Sequence, residues 1–133
     1  MASQIQDMVT EYIQAVGEHR LEDLPPMLDP DVEFIVGDTT LHGTAAFVGA
    51  FQRLTPIILR NEIRRVFVDG DEAIVIYDFV TDTPVGAVVS VEHIKFKSGR
   101  IASVLLVFER LHWPEVQAEL AERAARQTAE ASV

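Results

Sequence analysis

Four long apolar segments, separated by short turn sequences, are the strongest constraint on how this chain can fold. The segments cover residues 57–69, 72–81, 85–97 and 100–110. The turns between them are Asp69-Gly70, residues 82–84 and Ser98-Gly99. Because such short connections join only antiparallel neighbours, we predict a run of hairpin-linked strands. Long strands twist, so this antiparallel sheet should be strongly curved.

The first part of the chain has helical periodicity instead. Ser3 and Gln6 have capping-box spacing and Gly17 is a typical helix stop, which predicts a helix between Ser3 and Gly17. Its apolar face consists of Ile5, Met8, Val9, Tyr12, Ile13 and Val16. Tyr12 lies inside this apolar face, so its hydroxyl should point toward a covered part of the protein.

Shorter elements connect this helix to the long strands. We predict a short helix around Leu24 that is interrupted by Pro25 and Pro26, and then a turn at residues 29–31. A strand at residues 32–36 and an extended piece at 39–42 should follow. A third helix should begin at Gly43-Thr44 and end before Pro56, with its buried face formed by Phe47, Val48, Phe51 and Leu54.

The chain should end in a helix of about residues 114–129, opened by Trp113-Pro114. Its apolar face is thin, and Glu119 with Arg123 and Glu122 with Arg126 form favourable helical pairs. No linker or repeat interrupts the sequence. We therefore predict one domain spanning residues 1–133, of the α+β class.

Composition narrows the range of partners. The 133 residues carry 21 acidic side chains against 11 Lys and Arg, a net charge of −10, which disfavours nucleic acids and anionic membranes. No apolar run reaches the roughly 20 residues that cross a bilayer, and the start lacks a secretory signal pattern. The chain has no cysteine, which fits a cytoplasmic protein. Its four histidines lack metal-site spacing, so we expect no metal.

Glu92 is the unusual residue of the apolar segments. Period-two alternation places it on one strand face with Ser90, Ile94 and Phe96. Burying an unpaired carboxylate costs several kcal/mol, so such a group shifts its pKa or finds a partner. Tyr12, far away in sequence, is the expected partner. Three structural alternatives stay open: Tyr12 as a core tyrosine, Glu92 paired with a Lys or Arg side chain, and Glu92 on the dimer face after a register slip.

The order of these elements carries a family resemblance. Its segments are YIQAV at residues 12–16, LEDL at 21–24, DVEF at 31–34, HGTAA at 42–46, VEHIKF at 91–96 and GRI at 99–101. The chain thereby resembles the nuclear transport factor 2-like superfamily, in its SnoaL-like and ketosteroid isomerase-like branch. The resemblance implies a cone-shaped fold in which a curved antiparallel sheet wraps the N-terminal helices around a pocket.

The resemblance also implies roles for individual residues. The two hydrogen-bond donors that hold a dienolate oxygen in ketosteroid isomerases fall on Tyr12 and Glu92. The general base of those isomerases falls on Val36. Asp38, two residues further on, is kept as a catalytic candidate, although its turn-rich surroundings favour a local turn role. The acid/base aspartate of SnoaL-type cyclases falls on Leu106.

The pocket implied by the resemblance is apolar and has a few polar points. Its expected ligand-binding residues are Phe34, Val36, Phe47, Phe51, Tyr77, Phe79, Ser90, Val104, Leu106 and Phe108. Such a pocket suits a small hydrophobic molecule with a carbonyl or hydroxyl group. We expect isomerisation, cyclisation or dehydration by acid–base chemistry without a cofactor. The alternative is a hydrophobic-ligand-binding protein of the same fold that performs no reaction.

Several long segments are apolar on both faces, for example residues 73–77 and 104–108. A sheet with two apolar faces needs a cover on each. The few helices can cover only one. The sequence therefore predicts a homodimer formed through the outer sheet face.

Overall fold

The computed structural model describes residues 2–131 of the chain, which form three helices and six strands. In chain order these are α1 (Ala2–Gly17), β1 (Leu28–Val36), β2 (Thr39–His42), α2 (Thr44–Gln52), β3 (Ile58–Asp69), β4 (Glu72–Thr81), β5 (Ala87–Lys97), β6 (Arg100–Phe108) and α3 (Trp113–Ala131). The fold is α+β, as predicted. Within the described residues, no helix is both long and apolar enough to cross a membrane.

The strands form one open, curved sheet in the order β2-β1-β6-β5-β4-β3. The hairpins from β3 to β6 are antiparallel, as the turn sequences predict. The exception to the antiparallel arrangement is strand β1, which runs parallel to β6. These two strands are distant in sequence, so no tight turn dictates their direction. Register shifts in β3 and near Phe96 bend the strands and contribute to the curvature.

Helices α1 and α2 pack against the concave face of this sheet. Four aromatic side chains form the centre of that packing, with ring centroids 5.3 to 6.2 Å apart: Tyr12, Phe34, Phe47 and Phe51. Tilted and edge-on aromatic contacts of this kind add to the stabilisation from burial itself. The cluster fixes Tyr12 of α1 beneath the sheet, facing β5.

Some local predictions differ from the structure. The predicted second helix is a pair of short 3-10 turns, Leu21–Asp23 and Pro25–Met27. Residues 29–31, predicted as a turn, lie inside β1, where the Asp31 N–H donates to the Asp29 carboxylate at 2.8 Å. This aspartate hydrogen bond belongs to an irregularity in the strand. Helix α1 begins at Ala2, so Ser3 lies inside the helix and does not cap it.

The end of α1 is built differently from a glycine stop. The helix ends at Gly17, but the left-handed residue is His19, whose φ is 63° and whose ring hydrogen-bonds the Ile58 carbonyl at 2.7 Å. Gly17 is needed for space: an added Cβ would lie 2.6 Å from the backbone nitrogen of Asn61. Strand β3 therefore passes directly against the last turn of α1.

Helix α3 closes the other end of the concave face. Val116 is fully buried, and the Trp113 ring stacks edge-on against Phe108 with centroids 4.7 Å apart. The Arg123 guanidinium donates to the Pro56 carbonyl at 2.7 Å and pairs with Glu119 at 2.9 Å. The thin apolar face seen in the sequence is thus sufficient to dock this helix over the sheet.

Candidate functional site

The centre of the site is Glu92, which points from β5 into the concave side of the sheet and is only 1% exposed. The Tyr12 hydroxyl donates to its Oε1 atom at 2.6 Å, across 80 residues of chain. The Tyr77 hydroxyl donates to its Oε2 atom from the neighbouring strand β4. One buried carboxylate therefore accepts hydrogen bonds from two buried phenols.

This environment changes the acidity of all three groups. Burial raises the pKa of Glu92 from its ordinary value of 4.5 to about 7, although the hydrogen bonds from Tyr12 and Tyr77 act in the opposite direction. Burial, and then the charge on Glu92, raise the pKa of both tyrosines well above 10. At neutral pH the carboxyl group thus populates both protonation states, while the phenols keep their protons.

A cavity of about 390 Å³ lies beside this triad, between the sheet and helices α2 and α3. Tyr77 lines the cavity, and so does Ser90, its neighbour across the β4–β5 ladder. Among the described residues, Glu92 and Tyr12 do not form part of the wall. The Tyr77 side chain is therefore the group that connects the cavity to the buried carboxyl.

Most of the ligand-binding residues predicted from the sequence lie on the cavity wall. These are Phe34, Val36, Phe51, Tyr77, Phe79, Ser90, Leu106 and Phe108. Phe47 and Val104 lie behind the wall, fully buried in the core. Phe47 takes that place because its face of α2 packs among the other aromatic rings.

Asp38, the third catalytic candidate, is exposed in the tight turn between β1 and β2. It is not among the described residues that line the cavity. The positions where the resemblance places a base or acid, Val36 and Leu106, are neighbours across the parallel β1–β6 pair, and both line the cavity. That part of the wall is therefore apolar.

Two charged or titratable residues near Glu92, Asp78 on β4 and His93 on β5, face outward. Asp78 forms a two-point ion pair with Arg64, with hydrogen bonds of 2.8 and 3.0 Å. His93 hydrogen-bonds Glu72 at 2.7 Å on the same side. Their alternation away from Glu92 agrees with the period-two pattern of the sequence.

Sequence reasoning missed several wall residues. Asn61 is a buried amide on β3, Arg53 follows α2, and Trp113, Gln117 and Leu120 belong to α3. The sequence contains only a weak indication of a role for Asn61, namely that it is an amide near the start of a long strand. The register shifts on either side of it hide its inward direction from simple alternation.

The open curved sheet, the helices on its concave side and the cavity between them define a class: α+β cones of the nuclear transport factor 2-like superfamily. Within that class, the sequence model of the SnoaL-like domain matches residues 9–104, so the chain belongs to the SnoaL-like family. No match is found among curated proteins.

Solved structures support the same fold. A de novo designed protein with a curved β-sheet is 24% identical, with a TM-score of 0.78, over 89% of this chain and 95% of its own. A candidate polyketide cyclase from Sinorhizobium meliloti is 22% identical, with a TM-score of 0.68, over 76% and 94%. A protein from Catenulispora acidiphila with a ketosteroid isomerase-like fold, solved in complex with trimethylamine, is 16% identical, with a TM-score of 0.67, over 75% of this chain and 83% of its own.

Proposed function

We propose that this protein is a small-molecule enzyme of the ketosteroid isomerase and SnoaL-like type, acting on a hydrophobic metabolite with a carbonyl or hydroxyl group. The observation that carries the proposal is that Tyr77 contacts both the cavity and Glu92. Its ring lines the cavity, and its hydroxyl hydrogen-bonds Glu92. A ligand oxygen placed beside Tyr77 would meet a proton donor backed by a second ionisable group.

The proton arrangement depends on the state of Glu92. As a carboxylate, Glu92 accepts the hydrogen atoms of both tyrosines. As a carboxylic acid, it carries one hydrogen atom of its own, which it can donate to the Tyr77 oxygen. The Tyr77 hydrogen is then free to turn into the cavity and bind a ligand oxygen. Because the pKa of Glu92 is about 7, this second state is well populated at neutral pH.

Such a donor would assist the first step shared by isomerisation, cyclisation and dehydration. When a ketone loses a proton from the carbon next to its carbonyl, the electron pair of that C–H bond forms a C=C bond. The carbonyl oxygen gains the negative charge. A hydrogen bond from Tyr77 strengthens as that charge grows. In this proposal, water in the cavity accepts the proton, because Val36 and Leu106 offer no base.

The apolar pair Val36 and Leu106 also favours a second candidate function, in which the cavity holds a hydrophobic ligand without reacting with it. The same hydrogen bond from Tyr77 would then serve binding alone. The two candidates differ in whether the protein accelerates proton loss from a bound ketone.

Deuterium exchange into a simple ketone tests the enzyme proposal. Benzylacetone is incubated with the protein in buffered deuterium oxide, and proton NMR follows the loss of the hydrogens next to the carbonyl. We expect exchange faster than in buffer, and a fall of about 100-fold in the accelerated rate with Tyr77→Phe, the usual size of an acid–base contribution. The ketone concentration that gives half of the maximal exchange rate should change much less.

Tyr12→Phe is the matched control, because it removes the other hydrogen bond to the same carboxyl from outside the cavity wall. We expect a smaller loss of exchange than with Tyr77→Phe. Equal losses would contradict a direct role of Tyr77 at the ligand. Binding of benzylacetone without any acceleration of exchange would favour the non-catalytic alternative.

We also propose that the protein is a homodimer formed through the outer face of the sheet. Apolar side chains are exposed there on four consecutive strands: Phe67, Ile74, Val89, Leu105 and Val107. A large exposed apolar patch of this kind is typical of an interaction surface. Val107 alone is 58% exposed.

Light scattering at micromolar concentration tests this proposal. We expect the mass of two chains for the wild type and of one chain for Val107→Lys, because a dimer would bury the new charge without a partner. Leu111→Lys is the control: Leu111 is 76% exposed but follows the last strand, away from the sheet face. A monomeric wild type would contradict the proposal.

A further inference from the structure

Asn61 carries a buried polar atom with unused hydrogen-bonding capacity. The side chain lies on β3 at the cavity wall, and the residue is only 4% exposed. Its Nδ2 atom donates to the Ile13 carbonyl of α1 at 3.0 Å. Within the part of the chain that the structure describes, nothing donates to its Oδ1 atom. A buried acceptor of this kind costs free energy until a donor reaches it.

The orientation of this amide is fixed by its surroundings. Its Nδ2 atom is tied to Ile13, and the last turn of α1 packs so closely that Gly17 leaves no space for a Cβ next to the Asn61 backbone. The side chain therefore cannot exchange its two polar atoms without losing the bond to α1. Oδ1 is thus a preorganised acceptor on a residue that lines the cavity, where a donor from a bound ligand can approach it.

Asn61 and Tyr77 form a complementary pair of polar points. Asn61 lies opposite Phe79 in the β3–β4 ladder, and Tyr77 is two residues away on the same face of β4. Such diagonal neighbours have Cβ atoms roughly 7–8 Å apart. Asn61 accepts a hydrogen bond and Tyr77 can donate one, while Phe79, their neighbour on the sheet, is apolar.

We propose that Asn61 is a specificity-determining residue that selects ligands carrying a hydroxyl or N–H group, which donates to its Oδ1 atom. This inference rests on the cavity being the ligand site proposed above, and it deepens that proposal. The preferred ligand is an apolar molecule with two polar ends: an oxygen acceptor at Tyr77 and a hydrogen-bond donor at Asn61.

The inference follows from the state of the Asn61 amide oxygen when a ligand without a hydrogen-bond donor is bound. A ligand without a donor leaves the Asn61 Oδ1 atom as unpaired as it is among the described residues of the free protein, whereas a ligand with a hydroxyl or N–H group can satisfy it. A site built to pair with a polar ligand group therefore discriminates strongly against the analogue that lacks it.

Three ketones of one scaffold test the inference: benzylacetone, its para-hydroxy derivative and its para-methoxy derivative. The methoxy compound keeps the ring oxygen but carries a methyl group in place of the donated hydrogen. Benzylacetone has neither group, so its affinity shows how much of the difference is due to the bulk of the methyl group. Dissociation constants are measured by calorimetry for the wild type and for Asn61→Leu, which has the same number of side-chain heavy atoms and the same branching. We expect the wild type to bind the hydroxy compound about tenfold more tightly than the methoxy compound, and the variant to bind both equally.

Circular dichroism and an unfolding curve show whether Asn61→Leu folds. If it does not fold, the ligand comparison in the wild type decides alone. Equal affinities of the wild type for the hydroxy and methoxy ketones would overturn the inference, while deuterium exchange into benzylacetone would still support the proposed enzyme. A preference for the hydroxy ketone without any exchange would support the role of Asn61 and contradict catalysis. Failure of all three ketones to bind would overturn both.

Discussion

Between pH 4.5 and pH 7, the wild-type protein is expected to lose about 3 kcal/mol of unfolding free energy that a Glu92→Gln variant keeps. The pKa of Glu92 is about 7 in the folded protein and near 4.5 when the chain is unfolded. Over this range the folded state holds the proton while the unfolded state releases it. The stabilisation is fully present below pH 4.5 and is lost as the pH rises through 7. Above that, Glu92 is ionised in both states.

Glutamine removes the titration with little change in shape. Its amide oxygen can accept a hydrogen bond from one tyrosine, and its NH₂ group can donate to the other. Urea unfolding curves at fixed protein concentration, measured at several pH values, give the difference between the two proteins. The unfolding free energy of the variant, relative to that of the wild type, should rise by about 3 kcal/mol from pH 4.5 to pH 7.

Glu22→Gln is the control for this measurement, because Glu22 is an exposed carboxylate in the connection after α1. Its unfolding free energy should follow the wild type at every pH. Parallel curves for the wild type and Glu92→Gln would contradict the burial argument. They would also remove the basis for a Tyr77 donor controlled by the protonation of Glu92.

The sequence was sufficient for the hairpins and for the inward position of Glu92. Both depend on local rules: turn residues fix the connections, and alternation fixes the faces of a strand. The bounds predicted for β4 are those observed, residues 72–81. The partner of Glu92 was also within reach, because Tyr12 is the one polar residue in the apolar face of α1.

What the sequence could not predict depends on contacts between distant segments. No turn connects β1 to β6, so no turn sequence indicates that these two strands pair in parallel. The direction of Asn61 is set by register shifts in β3, which alternation cannot foresee. The contribution of α3 to the cavity wall was missed because few apolar residues are enough to dock a helix that also binds through Arg123.

Gly17→Ala is expected to destabilise the fold by about 3 kcal/mol, because close packing leaves no room for a methyl group there. The added Cβ would lie 2.6 Å from the Asn61 nitrogen and 3.2 Å from its Cβ. The first of these is a backbone atom inside a strand, so no side-chain rotation can relieve the contact. Either α1 or β3 must shift. Urea unfolding at constant pH measures the loss.

Gly49→Ala is the matched control, since Gly49 lies within α2 and an added Cβ would meet nothing within 4 Å. This change should stabilise the protein by about 1 kcal/mol, because alanine favours a helix interior more than glycine does. The same substitution is thus expected to act in opposite directions at two helical positions. If Gly17→Ala were also stabilising, α1 and β3 could not be in the close contact that orients the Asn61 amide, and the preference for a donor-bearing ligand would lose its structural basis.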